Sequence, residues 1–309
     1  MTTKSQVQLE IIQLQGNNNI YQTLAINLLQ PQSLITVEEM LTLEIPQELD
    51  RTQGIILYGS APIWLYTYLI ERLSSYPWLA CFDLRSQSAI VVSSQISSLT
   101  VGDSIPIQFT TIPNIAIIIG GPPNSGKSVF ANALRKDLAK YNFNAKVYLH
   151  RANWDGEGNH TYETAEELAE TLKQRNKNKI HLKPNAEKLL PEYFNYHAKA
   201  IANIRQVIDI TLVDVGGKAD IAKNPVIEQC THYIIISSDP EEIQEWHNLF
   251  SEKLQPLAVI HSVLENKIEI LKTEPFLEIV AGKWERNHVT RIPEVLLKEI
   301  LECSCNEIC

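Results

Sequence analysis

The sequence predicts an α/β fold in two parts: a small N-terminal domain with a mainly antiparallel sheet, and a larger C-terminal domain with a parallel sheet flanked by helices. Two observations support this prediction. Before residue 112, short β-rich segments alternate with turn signals. After it, near-continuous apolar strands alternate with helical patterns, as in parallel sheets covered on both faces. Because 309 residues suffice for two separate cores, we predict domains over 1–112 and 113–309.

Turn residues define the elements of the first domain. The glycine and asparagines of 16–19 separate two β-rich segments and predict a hairpin, and a second hairpin is predicted over 78–94. Between the hairpins, a buried strand leads into a helix with Ser60 as its N-cap and Pro62 in its first turn. Pro106, in the last short strand, indicates an edge of the sheet.

A phosphate-binding motif opens the second domain. The segment GPPNSGKS fits G-x-x-x-x-G-K-[ST] directly after an apolar strand and before a helix expected from about Lys127 to Tyr141. In such a P-loop the glycines let the backbone wrap phosphates, Lys127 contacts the β- and γ-phosphates and Ser128 ligates Mg²⁺. The predicted nucleotide-binding residues are Gly121, Asn124, Ser125, Gly126, Lys127 and Ser128.

A second motif follows an apolar run that ends in Asp214. A carboxylate there is expected to hold Mg²⁺ together with Ser128, with Mn²⁺ as an alternative metal; a polar strand cap is the alternative reading. Val215 stands where many hydrolytic ATPases place a glutamate, and D-V-G-G resembles the D-x-x-G of P-loop kinases and GTPases, so that Gly217 would sense the γ-phosphate. We favour ATP; the faint guanine-type motif at 266–269 leaves GTP open.

A polar, glycine-containing stretch follows the next strand, at the carboxyl end where open α/β sheets bind ligands. If the domain is a kinase, Arg151 could hold an anionic acceptor, and Asp155 or Glu157 could take a proton from its hydroxyl. A polar loop without chemistry explains the same residues equally well.

Charge and hydropathy exclude several classes of function. Residues 1–112 contain four basic and nine acidic side chains, which argues against binding of long nucleic acids by this half. No apolar run reaches the roughly 18 residues that span a bilayer, so we expect no membrane partner. The first ten residues lack an apolar signal core, which predicts a cytoplasmic location.

Five cysteines in a chain expected in the cytoplasm argue against a disulfide framework. Three of them, Cys303, Cys305 and Cys309, cluster near the last residue. Their spacing lacks the second pair of ligands that a zinc site needs, so an amphipathic helix end is favoured over a partial metal site.

Three segments of the first domain carry a resemblance to a known family. The sequences GSAPIWL (59–65), CFDLR (81–85) and AIVV (89–92) resemble the Csx-three CRISPR-associated family, over about residues 1–110. Members of that family are ring nucleases, which bind and linearise cyclic tetra-adenylate, and fusions to a P-loop domain are known among them. The resemblance implies that the whole chain is such a fusion.

The resemblance also implies site residues and an assembly. It implies a homo-oligomer, a dimer or tetramer, that sandwiches the ring between copies, so that one Arg85 per chain becomes several per site. Asp83 matches the functional aspartate of the family and Arg85 its basic partner. The implied catalytic residues are Asp83, Arg85 and Ser74, and the implied ligand-binding residues are Gly59, Ser60, Pro62 and Trp64.

The first domain departs from the family pattern at two positions. Ser74 and Ser94 stand where shorter members carry histidines, and residues 1–112 contain no histidine. Serine is a poor substitute for imidazole as a base near neutral pH. Asp83 could act alone, a histidine of the second domain such as His150 or His160 could contribute, or the domain could bind without cleaving.

Three functions follow from these alternatives. The first is a ring nuclease in which ATP at the P-loop is coupled to assembly or cleavage. The second is a sensor that binds the ring without cleaving it and gates a kinase or NTPase. The third is an oligomerisation module joined to a small-molecule kinase. We rank them in this order.

Overall fold

The structure, a computed structural model, forms two compact units, residues 1–111 and 112–309, which are described separately below. The residues that it describes are 7–16, 19–29, 35–109, 111–142, 145–154, 167–168, 171, 179–285 and 291–306.

The N-terminal unit is a closed barrel of six strands that follow one another around it in chain order. Its strands are β1 (Val7–Gly16), β2 (Asn19–Leu28), β3 (Ile55–Gly59), β4 (Trp78–Asp83), β5 (Ser88–Ser94) and β6 (Ser104–Gln108). Its helices are α1 (Val37–Leu41), which starts at a capping box of Thr36 and Glu39, and α2 (Ile63–Arg72).

Most of the barrel is antiparallel, as the sequence predicts. β1 and β2 pair over ten residues, and β4, β5 and β6 form two further antiparallel ladders. Only β2–β3 and β3–β4 are parallel. The barrel closes where β6 pairs with β1 through two residue pairs, Gln15 with Gln108 and Gly16 with Ile107. This short closing ladder had no counterpart in the local sequence pattern.

Two local predictions for this unit are wrong. Pro106 lies in a strand that pairs on both sides, not at an edge. The Ile107 N–H bonds toward β5, so the nitrogen of Pro106, which carries no hydrogen, faces β1. The β1–β6 ladder is only two pairs long, so the proline removes few hydrogen bonds from it. Ser60 is not the N-cap of α2: Pro62 holds that position in an extended conformation, and its carbonyl accepts the first helical bond, from Leu65.

The C-terminal unit is a seven-stranded sheet in the order β12-β13-β11-β10-β7-β9-β8. All its pairs are parallel except β12–β13. Its strands are β7 (Ile115–Gly120), β8 (Val147–Ala152), β9 (Ile210–Val215), β10 (His232–Ser237), β11 (Gln255–Ser262), β12 (Lys267–Lys272) and β13 (Leu277–Gly282).

Helices cover both faces of this sheet. They are α3 (Lys127–Tyr141), α4 (Ala186–Ile204), α5 (Asn224–Ile227), α6 (Pro240–Phe250) and α7 (Glu294–Asn306), with 3₁₀ turns at Ile180–Leu182 and Ile221–Lys223. Alternate residues of β7 face opposite layers: Ile117 packs in the core with α3 and α7, and Ile118 in the core with α4 and α6. The predicted fold class is confirmed for both units.

The core under α3 centres on Phe130, which is fully buried and meets the Trp284 ring edge to face at 5.2 Å. Phe130→Ala should lower the free energy of unfolding of this unit by about 3–5 kcal/mol, because it leaves a cavity beneath the helix. Urea denaturation followed by circular dichroism measures the loss. As a control, Leu264→Ala, at a side chain 89% exposed, should change it by less than about 0.5 kcal/mol. Equal effects would contradict this account of the core.

Candidate functional site

The P-loop connects β7 to α3, and its backbone is bent by two glycines. Gly121 has φ +151° and Gly126 has φ +83°, and Gly126 occupies the N-cap of α3 in the left-handed region. A Cβ at Gly126 would collide with Trp284, so both conformation and space require glycine there. Helix α3 then starts at Lys127, as predicted, and the Lys127 side chain is buried. The loop therefore presents a helix N-terminus and a lysine at the carboxyl edge of the sheet.

The middle of the loop is held from a neighbouring strand. The hydroxyl of Ser262, at the end of β11, donates to the carbonyl oxygen of Ser125 at 3.1 Å. The Ser125 Oγ is buried and makes no hydrogen bond with the described residues, so it is an unused polar group inside the loop. Asn124 is exposed and has φ +62°, a conformation that asparagine tolerates better than most residues.

Asp214 lies beside the P-loop strand and is fully buried. In the β7–β9 ladder it is level with Ile119, two residues before the loop begins, and in the β8–β9 ladder it is level with Arg151. Arg151 Nη1 donates to Asp214 Oδ2 at 2.6 Å, and both side chains are at most 5% exposed. Asp214 Oδ1 has no hydrogen-bond partner among the described residues.

These oxygens suit a hard cation. A buried carboxylate oxygen without a partner is costly unless a ligand or ion satisfies it, and Mg²⁺ prefers oxygen ligands. Ser128, in the first turn of α3, supplies the hydroxyl that the P-loop motif assigns to the metal. The donor set of Asp214 Oδ1 and Ser128 therefore fits Mg²⁺.

The loop after Asp214 packs on the P-loop. A Cβ at Gly217 would lie 2.6 Å from the backbone nitrogen of Pro123, and one at Gly216 would lie 3.0 Å from Nε1 of Trp154. A side chain at Gly217 would push the loop away from the P-loop, and one at Gly216 would crowd Trp154. The structure thus brings Gly217 and the phosphate loop into contact, although Gly217 lies 89 positions after Ser128 in the chain.

The proposed acceptor residues divide into two groups. Arg151 is engaged with Asp214, so this conformation does not present it to an acceptor. Asp155 and Glu157 lie outside the described residues, as does His160. The guanine-type motif places Lys267 and Glu269 on the outermost strand, where they pair with each other at 2.6 Å.

Local sequence patterns do not reveal the burial of two groups in this unit, Lys223 and the pair of His150 and His197. Lys223 is fully buried, and its Nζ lies 3.8 Å from the centre of the Trp154 ring. His150 and His197, both nearly buried, share a hydrogen bond of 2.8 Å between Nε2 and Nδ1. His150 was one of the histidines considered for ring cleavage, but its burial in this unit removes it from an external ligand in this conformation. Burial of a lysine or histidine has no local sequence signature.

The predicted ring-binding residues of the first unit gather at one end of the barrel. Because β2, β3 and β4 are parallel, their carboxyl ends lie together, with Gly59 ending β3 and Asp83 ending β4. Ser60 and Pro62 follow Gly59 and lead into α2, whose Trp64 is 40% exposed. The sequence motifs 59–65 and 81–85, far apart in the chain, are therefore neighbours.

Asp83 and Arg85 form an ion pair at this end. Arg85 Nε donates to Asp83 Oδ1 at 3.3 Å, and the backbone N–H of Ser86 donates to Oδ2 at 3.2 Å. Burial raises the pKa of Asp83, but the hydrogen bonds from Ser86 and the charge and hydrogen bond of Arg85 outweigh it, so this pKa lies below its usual value. Asp83 is therefore a carboxylate near neutral pH and a weak base.

The loop at Gly59 is fixed by a tyrosine. Tyr66 Oη donates to the carbonyl oxygen of Gly59 at 2.6 Å. Burial, with smaller contributions from Cys81 and Tyr58, raises the pKa of Tyr66 to about 12, which keeps the hydroxyl protonated as a donor. Burial also raises the pKa of the Cys81 thiol to about 11, so that it is a poor nucleophile near neutral pH.

The structure does not bring Ser74 and Ser94 to Asp83. Ser94 is level with Trp78 at the start of β4, whereas Asp83 ends that strand. Five residue steps along a strand correspond to about 17 Å. Ser74 lies near Ser94, because the side chain of Gln95 donates to the Ser74 carbonyl oxygen. Within one chain, the serines at the family's histidine positions and the Asp83–Arg85 pair occupy opposite ends of the barrel.

Three further predictions concern metal clusters, the cysteines near the last residue and membrane spans, and the structure bears on them only within the residues that it describes. There, no group of three or more His, Cys, Asp or Glu side chains is placed to hold a metal ion. Cys303 lies in α7, which supports a helix over this stretch, while the side chains of Cys305 and Cys309 lie outside the description. None of the helices in the described ranges is long and apolar enough to cross a bilayer.

One family model matches part of the N-terminal unit. Residues 28–106 match the sequence model of the family described as CRISPR-associated protein (Cas_csx3), which confirms the resemblance for this segment. An uncharacterized protein of Aquifex aeolicus (strain VF5) is 43% identical over 51 residues, 16% of this chain. The match spans 46% of that relative, somewhat less than half its length.

Three of the solved structures that are similar to the chain have low sequence identity to it. A plasmid partition protein from Borrelia burgdorferi B31 bound to AMPPNP is 16% identical, with a TM-score of 0.41 over 63% of this chain and 100% of that one. The septum site-determining protein MinD from Pyrococcus horikoshii OT3, complexed with Mg-ADP, is 10% identical, with a TM-score of 0.36 over 61% of this chain and 78% of that one. A ParA family ATPase from Chlorobium tepidum TLS is 13% identical, with a TM-score of 0.34 over 64% and 92%.

The buried ion pair of Arg151 and Asp214 should contribute far more to the free energy of unfolding than an exposed ion pair of the same unit. Arg151→Met should lower the free energy of unfolding of this unit by about 3–5 kcal/mol, because it leaves a buried carboxylate uncompensated. Chemical denaturation without nucleotide or metal measures this loss. Lys253→Met is the matched control: its pair with Glu228, at 2.7 Å, joins two exposed side chains and should contribute about 0–1 kcal/mol. A similar loss of unfolding free energy in both variants would contradict a buried, stabilising pair of Arg151 and Asp214.

Proposed function

We propose that the protein is a CRISPR-associated ring nuclease that binds and degrades cyclic tetra-adenylate, and that ATP at the P-loop regulates or drives this activity. The observation that carries the proposal is the arrangement of the barrel end. Within the segment that matches the family model, Asp83 and Arg85 pair at the end of β4, next to the end of β3 at Gly59 from which the chain leads into α2, although the two motifs are separate in sequence.

Charge and aromatic surface at this end suit a ring of phosphates and bases. The Arg85 side chain is 52% exposed, so it can turn from Asp83 toward a phosphate. Trp64 and Ile63, exposed at the start of α2, offer an apolar surface on which a base can stack. A single arginine is little for four phosphates in an acidic domain, so the proposal requires a homo-oligomer, a dimer or tetramer, in which copies of Arg85 surround one ring.

The cleavage step is proposed as an attack by a ribose 2′-hydroxyl on the adjacent phosphate. The new 2′-O–P bond forms as the P–O5′ bond breaks, a base removes the 2′ proton, and the leaving 5′ oxygen gains a proton. Arg85 would stabilise the charge on the phosphate. Asp83, with its lowered pKa, is a weak base by itself. Ser74 lies at the opposite end of the barrel, so it would reach the ring only from a second copy.

The P-loop of the C-terminal unit is proposed to bind ATP with Mg²⁺, or with Mn²⁺ in its place. The N-terminus of α3 and Lys127 would hold the phosphates, Ser128 and Asp214 Oδ1 would hold the metal, and Gly217 would contact the terminal phosphate. The metal would neutralise charge on the phosphates. Contact between Gly217 and the P-loop supports this assignment, since it links the two motifs in space.

A second candidate function is a sensor that binds the ring and gates the P-loop unit without cleaving it. The distance between Ser74 and the Asp83–Arg85 pair favours this candidate, as does the absence of histidine from residues 1–112. A sensor requires only the residues that bind the ring and no base for cleavage.

Labelled cyclic tetra-adenylate separates these functions. The full chain should convert the ring to linear product with ATP and Mg²⁺ or Mn²⁺ present. Arg85→Ala should weaken ring binding by roughly tenfold or more, the loss of one charge-assisted bond per copy. Arg291→Ala, at an exposed arginine of the C-terminal unit, is the control and should bind the ring as the unaltered protein does.

The outcomes of the ring assay are distinct. Binding without linear product under every condition would overturn the nuclease and favour the sensor, which predicts that ATP turnover changes on ring addition and that Arg85→Ala removes the change. No binding at micromolar ring would overturn both and leave an oligomerisation module joined to a kinase.

Nucleotide binding is tested at Lys127. Lys127→Ala should weaken ATP binding by roughly 10- to 100-fold, the range for a lost hydrogen bond to a charged group. Calorimetric titration of the full chain with ATP and Mg²⁺ measures it. Lys136→Ala, at an exposed lysine of the same helix, should bind as the unaltered protein does. Equal affinities in the two variants would exclude the P-loop as the nucleotide site.

A further inference from the structure

A lysine lies inside the C-terminal unit, close to the loop that follows Asp214. Lys223 ends the 3₁₀ turn Ile221–Lys223, and none of its surface is exposed. Its Nζ donates to the carbonyl oxygen of Lys218 at 2.7 Å. Taking an ammonium out of water costs several kcal/mol, so the groups that compensate this charge are held firmly in place.

An aromatic face supplies part of that compensation. Lys223 Nζ lies 3.8 Å from the centre of the Trp154 ring and 5.5 Å from that of Phe194. A cation over an indole at this distance, away from water, is attracted by the negative face of the ring. Trp154 and Phe194 also meet edge to face, with centres 5.8 Å apart. Lys223 therefore fixes the position of the indole as well as that of the Lys218 carbonyl.

The same indole touches the glycine loop, residues 216–218. A Cβ at Gly216 would lie 3.0 Å from Trp154 Nε1, and one at Gly217 would lie 2.6 Å from the Pro123 nitrogen. The loop is thus packed between the P-loop on one side and Trp154 on the other. Lys223 holds both Trp154 and the last residue of the loop.

We propose that Lys223 is a positioning residue that presets the glycine loop for the terminal phosphate of a nucleoside triphosphate. The inference rests on the proposed nucleotide function of the P-loop. Lys223 acts through the Lys218 carbonyl and the Trp154 ring, without touching the ligand itself. Its removal frees the loop to move away from the P-loop, which weakens contact with the third phosphate and leaves the contacts of the first two intact.

The consequence is discrimination between triphosphate and diphosphate. In the full chain with Mg²⁺, Lys223→Met should weaken binding of AMPPNP at least about fivefold, a coupling typical of residues in one network, and leave ADP binding within about twofold. Calorimetric titration gives both affinities. Should the methionine variant fail to fold, Lys223→Gln keeps a short donor, removes the charge and should shift the ratio in the same direction.

Lys199→Met is the matched control. Lys199 is an exposed lysine of α4, the helix that carries Phe194, and it belongs to none of the segments proposed to contact nucleotide. This variant should keep the AMPPNP-to-ADP ratio of the unaltered protein. An equal change in Lys199→Met and Lys223→Met would overturn the proposal.

The remaining outcomes separate this inference from the function on which it rests. If the unaltered protein binds both nucleotides and Lys223→Met keeps the ratio, the role of Lys223 is overturned and nucleotide binding stands. A parallel loss of both affinities also overturns it, because that result describes a residue needed only for folding. If the unaltered protein binds neither nucleotide, the proposed nucleotide function fails, and the inference fails with it.

Discussion

The ion pair between Arg151 and Asp214 depends on the register of three adjacent parallel strands. β8 and β9 place the two residues level with each other, and β7 places Asp214 beside the start of the P-loop. A buried carboxylate is tolerated there because the arginine neutralises it within the same sheet. A shift of one residue in either ladder would turn one of these side chains to the opposite face. The position of Asp214 beside the P-loop is therefore set by strand pairing.

Much of the C-terminal unit could be predicted because its signals are local. The P-loop, the helix from Lys127 to Tyr141 and the run ending in Asp214 each lie within a short segment whose chemistry shows in the sequence. The partner of Arg151 could not be predicted, since it lies 63 positions away and is set by sheet order. The burial of Lys223 left no signal either, because a lysine in a polar stretch normally lies in water.

The N-terminal unit shows the same division. Its hairpins follow from turn residues, but the closure into a barrel depends on pairing between the first and last strands, which no local pattern encodes. Pro106 was misread for that reason. The placement of Gly59 beside Asp83 follows from the parallel ladder between β3 and β4, whereas the distance of Ser74 from Asp83 reflects the length of β4. A site predicted from sequence motifs alone therefore combined Ser74 with Asp83, although the two residues lie at opposite ends of the barrel in one chain.

The closing ladder between β6 and β1 has a consequence for motion. It contains two residue pairs, whereas the β1–β2 ladder contains ten. Fewer backbone bonds must break to part the barrel along this seam, so local opening should start there. The barrel can therefore open between β1 and β6 while its longer ladders remain paired.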